Sequence, residues 1–161
     1  MKYIDESVEE DEDYFGSVQG YVVDKSEINW INYLEREVNN DDLRNFLINL
    51  INNSSVNRIS IILNINVEEE HRGKGFGNEL MELFFEEVDS DITILVADNQ
   101  EVQNKDFKLL SWYEGWGFQK ITVLPDESTT LMVLDNNSLL CDNDLEEEYR
   151  KQQNLTRKMK I

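Results

Sequence analysis

EEEHRGKGFGNELMELFFEEV, residues 68–88, is the stretch on which this chain turns. It gathers the only histidine, His71, with Arg72, Lys74 and three of the seven glycines, Gly73, Gly75 and Gly77. RISIILNINV, residues 58–67, precedes it and reads as a β-branched strand buried in the centre of a sheet. After it, Phe76, Leu80, Leu83, Phe84 and Val88 recur at helical spacing. A strand, a glycine turn and a helix in this order form a device for anions. Glycines adopt dihedrals that aim backbone N–H groups inward, and the helix start adds unpaired N–H groups and a positive dipole end. One or two glycines would suffice for a bare turn. Three, with Arg72 and Lys74 among them, point to an anionic ligand.

The local pattern leaves that ligand open. It is not the phosphate loop G-x-x-x-x-G-K-[ST]. GKGFGN does not match G-x-G-x-x-G either.

Outward from the knot, residues 91–97 read as a second buried strand, and a helix is expected from about Lys105 to Glu114, with Gly115 at its end. Residues 117–124 and 129–135 alternate as a hairpin, and residues 144–160 form a polar tail helix. Upstream, residues 17–24 read as a strand, 27–38 as strand or helix, and 41–51 as a helix opening on an Asp cap. Residues 5–13, DESVEEDED, are a charge run expected to be a mobile arm or loop. The order is that of an α/β fold with parallel and antiparallel parts.

The net charge is −19, unevenly spread: residues 149–161 hold five basic and no acidic residues, so all 34 acids lie before them. Such a field repels nucleic acid and draws cationic partners. A single cysteine, Cys141, excludes an internal disulfide and, with one histidine, a structural zinc site, so no metal ligands are assigned. The N-terminus lacks the apolar stretch of a signal peptide, and no run is long enough to span a bilayer. A cytoplasmic protein with no membrane role is expected.

Arg72-Gly73-Lys74-Gly75-Phe76-Gly77 resembles the Q/R-x-x-G-x-G/A signature of the GCN5-related N-acetyltransferases. WYEGWGFQK, residues 112–120, resembles their later F-Y-E-x-x-G-F element, and one strand and one helix lie between the two pieces. The resemblance covers roughly Arg58 to Leu134. It implies a mixed sheet with a central β-strand, the Gly-rich turn and its helix, followed here by a C-terminal helical tail. The implied organisation is an acetyltransferase-like domain over 1–141, its first 16 residues an acidic arm, and a charged helical tail over 142–161. The resemblance also implies a first strand, a helix pair and a hairpin before Arg58, a half that forms much of the acceptor site.

Acetyl-CoA is the implied co-substrate. The amides of Arg72, Gly73, Lys74, Gly75, Phe76, Gly77 and Asn78 would hold its pyrophosphate. The strand backbone at Ile65, Asn66 and Val67 would pair with the pantetheine arm, like an added β-strand. The acetyl carbonyl would lie where the central strand and the 91–97 strand splay apart. Tyr113 matches the tyrosine that protonates the departing thiolate, a task suited to a phenol of pKa near 10. Trp112, Trp116 and Phe118 are read as packing, and His71 as packing or capping.

The chain departs from the pattern in places. The central-strand position that often carries a glutamate base is Ile61. The nearby polar residues Ser60, Asn64 and Asn66 are no substitute, which leaves a water chain to a carboxylate such as Asp98, or an amine arriving neutral. The family asparagine seven residues before the tyrosine is Asp106, an adenine-side contact, unless Asn104 serves after a register shift. The small residue three further on is Leu109.

Two functions follow. One is N-acetyl transfer to a primary amine of a cationic acceptor: a basic protein or peptide, a polyamine or an aminoglycoside. The other is a catalytically weak or inactive member that binds or inhibits a basic protein partner. The basic tail could pin to the acidic body, close a homodimer or stay free.

Overall fold

The structure, a computed structural model, describes residues 1–38, 40–98, 109–123, 129–135, 137–140 and 144–159. Among the described residues, six strands form one sheet in the order β1-β2-β3-β4-β6-β5. They are β1 (Lys2–Glu10), β2 (Asp13–Asp24), β3 (Arg58–Val67), β4 (Ile92–Asp98), β5 (Gln119–Val123) and β6 (Thr129–Asp135). β3 and β4 are parallel, and the other described pairs are antiparallel. The described helices are α1 (Trp30–Glu37), α2 (Asp41–Asn52), α3 (Phe76–Glu87), α4 (Leu109–Gly115) and α5 (Leu145–Met159), with a 3-10 turn at Glu69–His71.

Two apolar layers sandwich the sheet. One joins Leu34, Leu43, Leu47 and Ile51 of α1 and α2 to Ile59, Ile61, Ile92 and Ile94. The other joins Leu80, Met81 and Phe84 of α3, with Tyr113 of α4, to Val18, Ile62, Leu95 and Met132. The two central strands therefore bury both faces, which accounts for their almost unbroken β-branched run.

The charge run 5–13 is not a free arm, as expected above, but most of strand β1 and its turn into β2. Ile4 and Val8 are buried against the α3 layer, while Asp5, Ser7 and Glu9 are exposed. Two buried residues four apart suffice to seat an edge strand, and its carboxylates discourage pairing with another chain. The hairpin β1–β2 comes first and the helix pair α1–α2 follows it, whereas the resemblance placed a strand and the helix pair ahead of the hairpin.

β2 carries the seat for α3. A Cβ on Gly16 would lie 3.2 Å from Leu80 Cδ1, and one on Gly20 would lie 2.8 Å from Phe84 Cε2. Both would also collide with β3 carbonyls, those of Asn66 and Ile61. Two glycines four apart on the strand thus face two large residues four apart on the helix.

Smaller differences have local causes. The cap of α2 is Asn40, whose Oδ1 accepts from Leu43 N at 3.0 Å, and Asp41 sits in the first turn. Helix α4 ends at Gly115 as expected, but the glycine that closes it is Gly117. Phe118 N donates to Tyr113 O and Gly117 N to Glu114 O, with Gly117 left-handed at φ 102°. This is a Schellman closure, which needs its glycine after the last turn. α5 is capped by Asp144, whose Oδ1 accepts from Glu147 N. It docks by burying Leu145 and by setting Tyr149 edge-on to Phe46 at 5.1 Å.

Candidate active site

The parallel pairing of β3 with β4 runs only from Ile59–Ile92 to Ile62–Leu95. Below that limit the strands are pinned by buried hydroxyls, Ser60 Oγ lying 2.7 Å from Thr93 Oγ1. Beyond it each strand keeps its outer neighbour, β3 following β2 to Val67 and β4 following β6 to Asp98. The register of β2 with β3 slips between Gln19 and Gly20, so Leu63 is an extra residue on β3. Such a bulge bends its strand, and here the bend falls where β3 leaves β4.

The split opens a cleft of about 140 Å³, lined by Ile62, Leu63, Asn64 and Ile65 on one side and Leu95, Val96 and Ala97 on the other, with Leu109 and Tyr113. Tyr113 is only 5% exposed and packs edge-on against Phe118. The Schellman closure fixes it from behind, because the Tyr113 carbonyl accepts from both Trp116 N and Phe118 N. Of the cleft residues, Ile62 and Leu63 on β3, and Leu95, Val96 and Ala97 on β4, were not singled out from sequence. The signal on β4 would have been the apolar end of a strand opposite the glycine motif.

Backbone direction in the split follows from one bond. Glu68 N donates to Phe15 O, so the backbone groups of Glu68 face β2. Alternation then turns Asn66 toward β2, and Ile65 and Val67 toward the gap. Val67 O lies on the open side, where it accepts from Arg72 Nε at 2.9 Å.

The glycines divide their work. Gly73 and Gly75 have φ of 79° and 86°, and a Cβ on either would meet nothing within 4 Å. They are required by dihedral, not by crowding. Gly75 caps α3 without any side-chain acceptor, so the first N–H groups of the helix face the loop. Gly77 serves packing, since a Cβ there would stand 3.3 Å from Trp112 Cζ2. Asn78 also turns to α4, its Oδ1 accepting from Trp112 Nε1 at 2.9 Å and Trp116 Nε1 at 3.3 Å. Its backbone N–H lies in the first turn of α3, ahead of Glu79 N, which donates to Gly75 O. Lys74 is exposed, and neither it nor Arg72 joins an ion pair among the described residues.

His71 is a packing residue. Its ring lies 4.3 Å from that of Phe15, and Phe15 lies 4.6 Å from Phe76. Ile61 is 2% exposed within the α1–α2 layer, so the strand position that could carry a base is apolar. Asn104, Asp106 and the side chain of Asp98 lie outside the described residues. On the α1 side, burial raises the Glu37 carboxyl above its ordinary value, with Arg36 opposing. Burial and then the Glu37 charge raise the Tyr21 phenol. Among the described residues no cluster of His, Cys, Asp or Glu could hold a metal, and no helix is long and apolar enough to cross a membrane.

No protein-family model matches the chain, and no curated protein matches it. Solved structures do. The ribosomal-protein-S18-alanine N-acetyltransferase from Escherichia coli aligns over 88% of this chain and 72% of its own, with a TM-score of 0.51 at 14% identity. The Drosophila melanogaster polyamine N-acetyltransferase, which catalyses the formation of N-acetylagmatine, aligns over 79% and 71%, with a TM-score of 0.52 at 12% identity. The chain has the GCN5-related N-acetyltransferase fold. An agmatine N-acetyltransferase shares it, at a TM-score of 0.50 and 12% identity over 79% of this chain and 70% of its own. In this acetyltransferase fold the split strands, the glycine loop and Tyr113 fall together at one end of the sheet.

Proposed function

We propose that the protein is an acetyl-CoA-dependent N-acetyltransferase acting on a primary amine of a cationic acceptor. The observation that carries this reading is the split between β3 and β4, which opens beside the glycine loop and has Tyr113 at its wall. A bare β-α turn needs neither the split nor the two left-handed glycines.

In this reading the N–H groups from Arg72 to Asn78 receive the pyrophosphate, and Lys74 adds charge beside them. Ile65 and Val67 offer backbone groups to the pantetheine arm across the gap. The amine nitrogen attacks the thioester carbonyl carbon, the carbon–sulfur bond breaks, and the sulfur leaves as a thiolate. Tyr113 donates its phenolic proton to that sulfur. The attacking amine must shed a proton. With Ile61 apolar, that proton goes to solvent or the amine enters neutral. Solved enzymes with this fold are named for an alanine of ribosomal protein S18, for polyamine and for agmatine, and the net charge of −19 favours a cation here as well.

Incubation with acetyl-CoA and a panel of agmatine, spermidine, an aminoglycoside and basic peptides tests the proposal. Release of free CoA thiol together with a 42 Da gain on one acceptor, the order of one acetyl group, is expected. The buried Ile61 favours a second reading, a binding or inhibitory protein for a basic partner. It predicts acetyl-CoA binding without transfer to any amine of the panel.

A further inference from the structure

Three side chains form one row across the sheet to the cleft. Asp5, Gln19 and Asn64 occupy paired positions on β1, β2 and β3. Gln19 Nε2 donates to Asp5 Oδ1 at 3.1 Å, and Asn64 Nδ2 donates to Gln19 Oε1 at 3.0 Å. Ser17 Oγ takes a second bond from Gln19 Nε2 at 3.0 Å and is itself held by Tyr14 Oη at 2.6 Å. Asn64 lines the cleft.

The polarity of this row is dictated from its outer end. An ionised carboxylate only accepts, so Gln19 must turn its NH₂ to Asp5 and its carbonyl to Asn64. Asn64 must then turn its NH₂ to Gln19, and its Oδ1 is left as an acceptor with no partner among the described residues. An exposed acid on an edge strand thereby sets which atom of Asn64 is free at the split.

Given the acetyltransferase reading, on which this role rests, we infer that Asn64 Oδ1 accepts an N–H of the acceptor amine and positions it at the split, and that Asp5 and Gln19 hold that oxygen in place. An amine brings two or three N–H donors to the cleft, and an acceptor oxygen beside the gap directs its nitrogen toward the thioester carbon without removing a proton. Asn64 is thus a specificity residue for amine nucleophiles, and Asp5 and Gln19 are positioning residues.

The test measures amine KM and kcat, with agmatine and a free-N-terminal peptide as probes, alongside acetyl-CoA affinity by calorimetry. Asn64→Ala is expected to raise amine KM by about tenfold or more, with acetyl-CoA affinity unchanged. Asp5→Lys, a donor only, inverts the row and produces a similar loss, and Asp5→Asn, which still accepts, recovers most of it. Glu9→Lys makes the same charge change on β1 outside the row, and its smaller effect is abolished by added salt. Asp5 is exposed on an edge strand, so its variants report on the row independently of any folding defect in Asn64→Ala. Wild-type amine KM in both Asn64→Ala and Asp5→Lys, with acetyl-CoA still bound, overturns this role alone. Absence of acetyl-CoA binding, or of transfer to any amine by the wild type, overturns the acetyltransferase reading and this role with it.

Discussion

Asn78 Oδ1 accepts the indole N–H of Trp112 at 2.9 Å, tying the first turn of α3 to the residue beside Tyr113. Trp116 donates to the same oxygen at 3.3 Å. One amide thus couples the glycine loop to the helix that carries the proposed acid. Asn78→Leu removes the acceptor from both indoles. The expected loss is about 1–2 kcal/mol of stability, seen as a lower midpoint in urea. It should also bring a fall in kcat larger than any change in acetyl-CoA KM, because Tyr113 loses its brace.

Tyr113→Phe keeps the packing against Phe118 and removes only the hydroxyl. The fold should persist. A proton donor in flight typically contributes about 10²-fold or more, so kcat should fall by about that factor with acetyl-CoA affinity retained. Steady-state kinetics beside calorimetry separates the two.

The glycines predict two opposite phenotypes. Gly73→Ala strains a left-handed residue in open space, at a cost of about 1–2 kcal/mol, and should weaken acetyl-CoA binding. Gly20→Ala meets the Ile61 carbonyl and the Phe84 ring, so overpacking of about 1–3 kcal/mol or more falls on the core. Thermal unfolding of Gly20→Ala should be the more affected, and ligand affinity of whatever remains folded should be near wild type.

Glu37 gives a pH dependence. Burial raises its carboxyl above the ordinary value of 4.5, so the folded protein favours the protonated acid. Its contribution to stability is present below that value and is lost as pH rises through the raised folded value. Glu37→Gln should therefore unfold at higher denaturant than wild type at neutral pH, and the difference should shrink on acidification below the carboxylate range. Urea midpoints across pH check this.

The centre of the sheet and the glycine loop were legible because their signals are local. β3 spans Arg58–Val67 as read, and α3 opens on Gly75. β1 was hidden because only Ile4 and Val8 are buried in a run of carboxylates, and such a stretch has the composition of a solvated arm. The packing demand on Gly77 was hidden because crowding by Trp112, 35 residues further on, leaves no mark near the motif. The same holds for Asp5, Gln19 and Asn64, which meet only once the three strands are in register.

The most direct test of the central claim is a calorimetric titration of acetyl-CoA into the wild type and Gly75→Glu. Gly75 is left-handed at φ 86°, at the mouth of the loop and start of α3. The account predicts saturable binding by the wild type, and at least a tenfold loss, on the order of 1.4 kcal/mol, when a carboxylate occupies that position. No heat from the wild type at high ligand concentration, or equal binding by both proteins, would contradict it.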